Sequence, residues 1–514
     1  MKTLQNKLVQ GTLLLTLAGF ITRVIGFVYR IFLADILGTR LLGIYQLVFP
    51  VYGICFTIYG AGIQTAISQL IASNVIDSVH EKEKRDASIL KWGLFLSLLL
   101  SSTLSLCIYF FAKPIATYLL LEASCSPYLK ILCILFPFCG TSACINGYFY
   151  GKKEAKVPAA TQIVEQLVRV ASVTLLCLAF SATGDFGCRL AILGLVLGEV
   201  ASCLYNCFKL YQSITGPKLP SLSTSHFLTN HSKTPILSSL IFLAFTLTTT
   251  KLIISILHSV EAVFIPAALK KYGCSAQDAL SIYGILSGIT LPFILFPSTI
   301  TNSFAVMLLP AIAQADARKD TKKIQTYVTL SGKYSLFIGY LFTCIFFLFG
   351  KEFGILLFHN ENAGMYIYIL SWLCPFLYLS TTFTSIINGL GKTQLTFLIT
   401  AISLLIKICF LLFFVPQYGI RAYLIGTLIS QITMTLLETF YLRSYVVLSL
   451  RKFLLIPGIC LGLTGMLCKK LYLFLPVHKS VLSSTLCLAT ACLLLCSFYL
   501  FTLLKTNCIQ KSDF

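Results

Sequence analysis

Charge is what this sequence has least of. Only 11% of its 514 residues are Asp, Glu, Lys or Arg, against roughly 25% in soluble globular domains. Acidic residues are scarcest, 18 Asp and Glu against 39 Lys and Arg. With 57% hydrophobic residues and a mean hydropathy of +0.87, this excludes a soluble protein. Several motifs are missing as well. There is no GxxxxGK[ST] phosphate loop, no HExxH and no GxSxG, so the common nucleotide, zinc-protease and hydrolase signatures are absent. The 20 cysteines contain no Cys-x-x-Cys pair, and Cys203 and Cys207, one turn apart, have no His beside them. They read as small apolar packing residues, and neither a metal nor a cofactor is expected. The first twenty residues have a basic start but no small-residue cleavage site, which predicts a first membrane helix in place of a cleaved signal.

What is present is a succession of long apolar runs. About 20 such residues span a bilayer. Fourteen stretches qualify, near 9–34, 43–72, 88–112, 127–150, 157–181, 189–211, 235–258, 279–312, 324–349, 365–389, 394–415, 419–442, 453–475 and 481–504. The fold class expected is an all-α polytopic membrane protein. The connecting segments alternate in charge, 22 Lys and Arg on one side against 11 on the other. The richer side is the cytoplasmic one by the positive-inside rule, so both termini are expected in the cytoplasm. The net charge of +21 then reads as attraction to anionic membrane lipids, and no nucleic acid is expected as a partner.

The chain repeats itself. Pro137-Phe138 recurs as Pro375-Phe376, Gly151 as Gly389 and Arg169 as Lys407, all 238 residues apart. Ile44-Tyr45 meets Ile282-Tyr283 at the same offset. After a six-residue length difference, Gly194 meets Gly426. Spans 1–6 and 7–12 therefore read as two parallel six-helix repeats, a transporter architecture. The expected organisation is an N-lobe over 1–212, a cytoplasmic linker over 213–234, a C-lobe over 235–448, and an appended pair of helices with a tail over 449–514. The linker holds His226 and His231, which have no companion ligands in sequence and read as a solvated tether.

Charges inside the apolar runs are the candidate site. A charge at membrane depth is costly and faces a partner or a watery cavity. Arg23 and Arg30 are nearly two turns apart on one face of span 1. Either Arg30 reaches the interface and Arg23 pairs structurally, or both line a polar cavity. Glu165 and Arg169 in span 5 are spaced to pair on one face, as a structural clasp or as a gate. Glu199 in span 6 and Lys407 in span 11 lie near mid-depth. Asp35 is about 140° around the helix from Arg30 and is expected at an outer mouth or helix end. Lys251 and Glu438 read as snorkelling side chains. Arg23, Arg30, Arg169 and Lys407 are candidates for binding an anionic solute, and Asp35, Glu165 and Glu199 for ion coupling or gating.

The run GFVYRIFLADILGTRLLGIYQLVFPVY with GAGIQTAISQLIAS (Gly60–Ser73), the segment Asn146–Val170 and the segment Tyr283–Ala315 resemble the stage V sporulation protein B family. That family lies within the multidrug/oligosaccharidyl-lipid/polysaccharide flippase superfamily, related to lipid II flippases. The resemblance covers essentially the whole chain. It implies fourteen helices in the bacterial plasma membrane and no enzyme activity. It also implies a lipid-linked oligosaccharide substrate, such as an undecaprenyl-linked peptidoglycan or polysaccharide precursor, and cell-wall synthesis enzymes as possible partners. Lipid II flippases use arginines in spans 1, 2 and 8. Of these, Arg23 matches in TRVIGF, the second span-1 position falls on Tyr29 with Arg30 one place on, and the others fall near Ile54 and Pro292. Alternatives of other kinds are a cation-coupled multidrug exporter and a non-transporting scaffold for wall or spore assembly. Replacing Arg23 or Arg30 by Ala is expected to abolish precursor export at normal levels of folded protein. Transport measured in both variants checks this, and full activity in both removes the site assignment.

Overall fold

The computed structural model describes residues 2–73, 79–215, 236–445, 456–474, 481–506 and 508. The linker from residue 216 to 235, with His226 and His231, lies outside the described residues. Every described element is helical. In hydrocarbon each backbone N–H and C=O must be satisfied within the protein, which a helix does along its own length.

α1 runs from Lys2 to Phe56 and contains spans 1 and 2. The break between them is Gly38, at φ 68° and ψ 170°, a left-handed conformation that glycine adopts without steric cost. A π turn over Thr57–Ala61 leads into α2, Gly62–Ala72. α3 (Val79–Phe110), α4 (Phe136–Gly151), α5 (Lys156–Ala179) and α6 (Gly184–Thr215) complete the first set. α7 (Ile236–Tyr272) and α8 (Ala276–Tyr283) follow. The expected single span at 279–312 is divided. A π turn at Gly284–Thr290 and a short helix at Leu291–Leu295 precede α9, Ser298–Ala317. Pro292 and Pro297, which remove backbone donors, sit at these joints. The longer helices that follow are α10 (Thr321–Phe358), α11 (Cys374–Gly389), α12 (Thr393–Cys409), α13 (Ile420–Leu442), α14 (Ile456–Phe474) and α15 (Val481–Lys505).

Among the described residues, thirteen stretches are long and apolar enough to cross a membrane. One of them, Leu14–Ala72, is 59 residues long, about 90 Å at 1.5 Å per residue. That suffices for two crossings, so the structure accords with fourteen. The protein is a multi-pass membrane protein.

Contacts divide the chain into two compact units, one of 1–29 with 36–263 and one of 30–35 with 264–514. Within the first, a core of Ile63, Ile67, Cys144, Phe149, Leu240 and Ala244 joins α2, α4 and α7. Within the second, Ile312, Val328, Phe383 and Ile386 join α9, α10 and α11.

The helix crossings inside each unit share a register. α4 and α11 are each 16 residues long, begin with Pro in the first turn and follow one 3-10 turn. A Cβ on Gly151 would sit 2.7 Å from Ile71 Cβ and 3.0 Å from Ser68 O. One on Gly389 would sit 3.0 Å from Ile312 Cβ and 2.9 Å from Leu309 O. Ser68 and Ile71 precede Leu309 and Ile312 by a constant offset. One turn earlier, a Cβ on Gly147 would lie 2.5 Å from Gln64 O, and Ser385 Oγ donates to Ala305 O at 2.5 Å. These matched crossings are consistent with two homologous halves.

The last two helices fasten to α10. Lys469 Nζ on α14 donates to Glu352 Oε1 at 2.6 Å and to Leu348 O at 2.7 Å. It also lies 4.9 Å from the Phe349 ring centre and 5.5 Å from that of Tyr472.

Since the atom facing Gly147 is a backbone oxygen, a larger residue forces one helix off the other. Gly147→Val is expected to cost about 1–3 kcal/mol, read as a lower unfolding temperature of the purified protein. Gly462→Ala, where a Cβ meets nothing within 4 Å, is expected to leave that temperature unchanged.

Candidate functional site

The charged residues of the first unit converge because two of its helices touch backbone to backbone. α6 presents Gly194 and Gly198 to α5. A Cβ on Gly198 would sit 2.9 Å from Glu165 O and 3.2 Å from Arg169 Cβ, and one on Gly194 would strike Val173. Small residues four apart permit such approach in membranes, where packing and hydrogen bonds hold helices together. The approach sets Glu199 of α6 beside the charged face of α5.

On α5, Arg169 donates through Nη2 to Glu165 Oε1 in a tight ion pair, and through Nη1 to Gln166 Oε1 at 3.4 Å. Both side chains of the pair are half-buried, 21% and 25% exposed. Arg169 Nε has no hydrogen-bond partner among the described residues. Glu199 is buried, 7% exposed, and accepts from Ser202 Oγ at 3.4 Å. Glu199, Tyr45 and Tyr52 lie within electrostatic reach of Arg169. One guanidinium thus faces two carboxylates. The group is charge-balanced when one carboxyl carries a proton or a cation stands beside it, because uncompensated charge at this depth is costly.

The polar side chains extend along α6 as a stripe. Ser202 Oγ meets Ser142 Oγ of α4 at 3.2 Å, and Asn206 Oδ1 accepts from Thr161 of α5 at 2.7 Å. An aromatic wall stands opposite. The Tyr52 hydroxyl lies 3.4 Å from Cys139 Sγ, and Phe136 packs 5.4 Å from Tyr59, centre to centre.

α1 reaches this group at Gly26, where a Cβ would lie 3.2 Å from Gln166 Nε2. Arg23, one turn earlier on that face, is exposed. Arg30 is half-buried and Asp35 exposed, and both group with the second unit. Of the residues singled out in the sequence, Glu165, Arg169 and Glu199 therefore come together. Lys407 is half-buried on α12, in the second unit. Among the described residues no three His, Cys, Asp or Glu gather as metal ligands would.

Two side chains differ from the snorkelling expectation. Lys251 on α7 is exposed but fixed, donating to Ala61 O at 3.0 Å and Thr65 Oγ1 at 2.9 Å. Glu438 on α13 is fully buried. Its Oε1 accepts from Thr384 Oγ1 of α11 at 2.5 Å, and its Oε2 has no partner among the described residues. Position in the span suggested an interface; the α11–α13 crossing covers the side chain instead. The repeat could have flagged it. With the six-residue adjustment, Glu438 falls on Asn206 and Thr384 on Asn146. Likewise Ser403 and Ser430, which meet at 2.9 Å, fall on Glu165 and Gly198. The tyrosines were also missed, although Tyr45, Tyr52 and Tyr59 recur every seven residues along one helical face.

The model of the polysaccharide biosynthesis protein family matches residues 8–316, more than half of the chain. The chain belongs to the polysaccharide biosynthesis protein family. A second model, MatE, matches residues 272–413. Stage V sporulation protein B of Bacillus subtilis (strain 168) is 26% identical over 435 residues, which is 84% of this chain and 82% of that protein. Among solved structures, the lipid II flippase MurJ in an inward closed conformation superposes with a TM-score of 0.70 at 15% identity, over 95% of this chain and 98% of that one. An inward-facing multidrug resistance transporter of the MATE family superposes with a TM-score of 0.61 at 15% identity, over 82% of this chain and 94% of that one. This member of the family therefore shares its fold with the lipid II flippase and with the MATE transporter.

Removing one partner of a half-buried pair strands the other. Arg169→Met is expected to destabilise the protein more than the double variant Glu165→Gln with Arg169→Met, because the double variant leaves one fewer uncompensated carboxylate. Thermal unfolding of the parent, both single variants and the double variant in the same detergent measures the difference, and a double variant as unstable as the sum of the single ones removes the coupling.

Proposed function

We propose that the chain is a flippase of the bacterial plasma membrane. It moves undecaprenyl-linked peptidoglycan or polysaccharide precursors, lipid II-like in chemistry, across the bilayer by alternating access. The observation that carries this reading is the extent of the fold likeness. A lipid II flippase matches 95% of the chain, too much to leave out α14 and α15, whereas a multidrug transporter matches 82%. The family match to polysaccharide biosynthesis proteins supports the same cargo class.

In this reading the headgroup crosses while the polyprenyl tail stays in lipid. Arg23 and Arg30 attract the pyrophosphate, since guanidinium groups donate in the bidentate geometry that phosphate accepts. Arg169 and Lys407 assist. Glu165 and Glu199 hold the coupling ion or gate the movement, with Asp35 at the outer mouth. Both termini lie in the cytoplasm, and cell-wall synthesis enzymes are candidate partners. The MatE match over 272–413 favours a second reading, a cation-coupled multidrug exporter. A non-transporting scaffold is the third, and it requires the buried charges to be dispensable.

Complementation tests the proposal. A bacterium depleted of its own lipid II flippase and supplied with this chain is expected to grow. With Arg23→Ala, or with Glu199→Gln, precursor flux is expected to fall more than tenfold, the loss of at least one charge-assisted contact. Growth rescued equally by all variants removes Arg23 and Glu199 from the site. No rescue by the intact chain removes lipid II as the cargo, and drug efflux without rescue supports the exporter.

A further inference from the structure

The second unit carries a groove on its outer surface, distinct from the charged cluster, in the crossing between α12 and α13. Its volume is about 500 Å³. One wall is Leu395, Leu398, Ile399 and Ile402, and the other is Leu437, Phe440 and Tyr441. These positions are spaced three and four apart on each helix, so each wall is one continuous ridge. Leu398, Ile402 and Phe440 are exposed, at 55%, 43% and 64%. The apolar wall from Leu395 to Ile402 extends about 10 Å along the helix axis, roughly two-thirds of one leaflet's hydrocarbon depth.

The groove is not apolar throughout. Arg443 also lines it, immediately beyond the last residue of α13. Its guanidinium carbon lies over the Phe440 ring, 4.4 Å from the ring centre, a cation–π contact that favours the charge at the rim. α12 begins at the same end, with Lys392 preceding its first residue. Both cations lie on the side of the chain that the excess of Lys and Arg assigns to the cytoplasm. An apolar slot with a guanidinium at its membrane-surface end has the polarity of an anionic phospholipid read from tail to phosphate. Zwitterionic lipids fill the slot equally but offer the guanidinium no net charge.

We propose that the α12–α13 groove is a binding site for one anionic phospholipid of the cytoplasmic leaflet, its acyl chain against Leu398, Ile402 and Phe440 and its phosphate on Arg443. The site is independent of what the chain transports.

The test uses the full-length protein in nanodiscs of phosphatidylcholine with increasing phosphatidylglycerol. Retained lipid is counted by native mass spectrometry and unfolding temperature is followed in parallel. One phosphatidylglycerol is expected to be retained in preference to phosphatidylcholine, with a higher unfolding temperature. Arg443→Gln is expected to reduce that preference about fivefold, the contribution of one basic residue at an anionic surface. Arg443→Lys is expected to keep most of it, and Ile402→Trp to lower retention by filling the slot. All these positions are exposed, so the variants are expected to fold. An unchanged preference in Arg443→Gln overturns the proposal. So does an equal stabilisation by glycerol phosphate alone, which would make the site one for a free anion.

Discussion

Helices in lipid gain nothing by hiding apolar side chains from one another, so contact depends on how closely their backbones approach. In this chain that approach is set by small residues at crossings. Gly147 and Gly151 admit α2 against α4, and Gly194 and Gly198 admit α5 against α6. The polar chemistry is a consequence. Glu165, Arg169 and Glu199 meet because nothing larger than hydrogen stands between α5 and α6 at Gly198. Ser202 and Asn206 each form a hydrogen bond across the same crossing or its neighbours.

Charge was legible in the sequence where it was unusual for its surroundings. The Glu165–Arg169 pair followed from helical spacing alone, and the break between the first two spans from their length. Burial was not legible, since it depends on which neighbour covers a residue. Glu438 is placed near the end of its span yet is fully enclosed by α11, and Lys251 is exposed yet tied to α2. The tyrosines of the second span and the division of the eighth needed, respectively, a heptad count and attention to Pro292 and Pro297 together. The glycine contacts were the least legible of all, because a Gly in an apolar run carries no mark of what approaches it.

Each unit buries a carboxylate within a polar helix crossing, Glu199 in the first and Glu438 in the second. Their environments differ. Glu199 shares its surroundings with an arginine and a second carboxylate, whereas Glu438 has a threonine as hydrogen-bond donor. Where Glu165 faces Gly198, the corresponding positions in the later half are Ser403 and Ser430, joined by a neutral hydrogen bond. The same crossing therefore supports an ionic arrangement in one half and a hydroxyl pair in the other. Under the proposed function, this asymmetry distinguishes the half suited to charge movement from the half suited to neutral packing.

Lys469 has a mechanical consequence. It grips α10 through a carboxylate and a backbone carbonyl together, between two aromatic rings. A side chain held at several points has little freedom to slide, so α14 is keyed to α10 at one height and one rotation. A shift of α10 is resisted at this point unless α14 moves with it, so Lys469 couples the two helices mechanically.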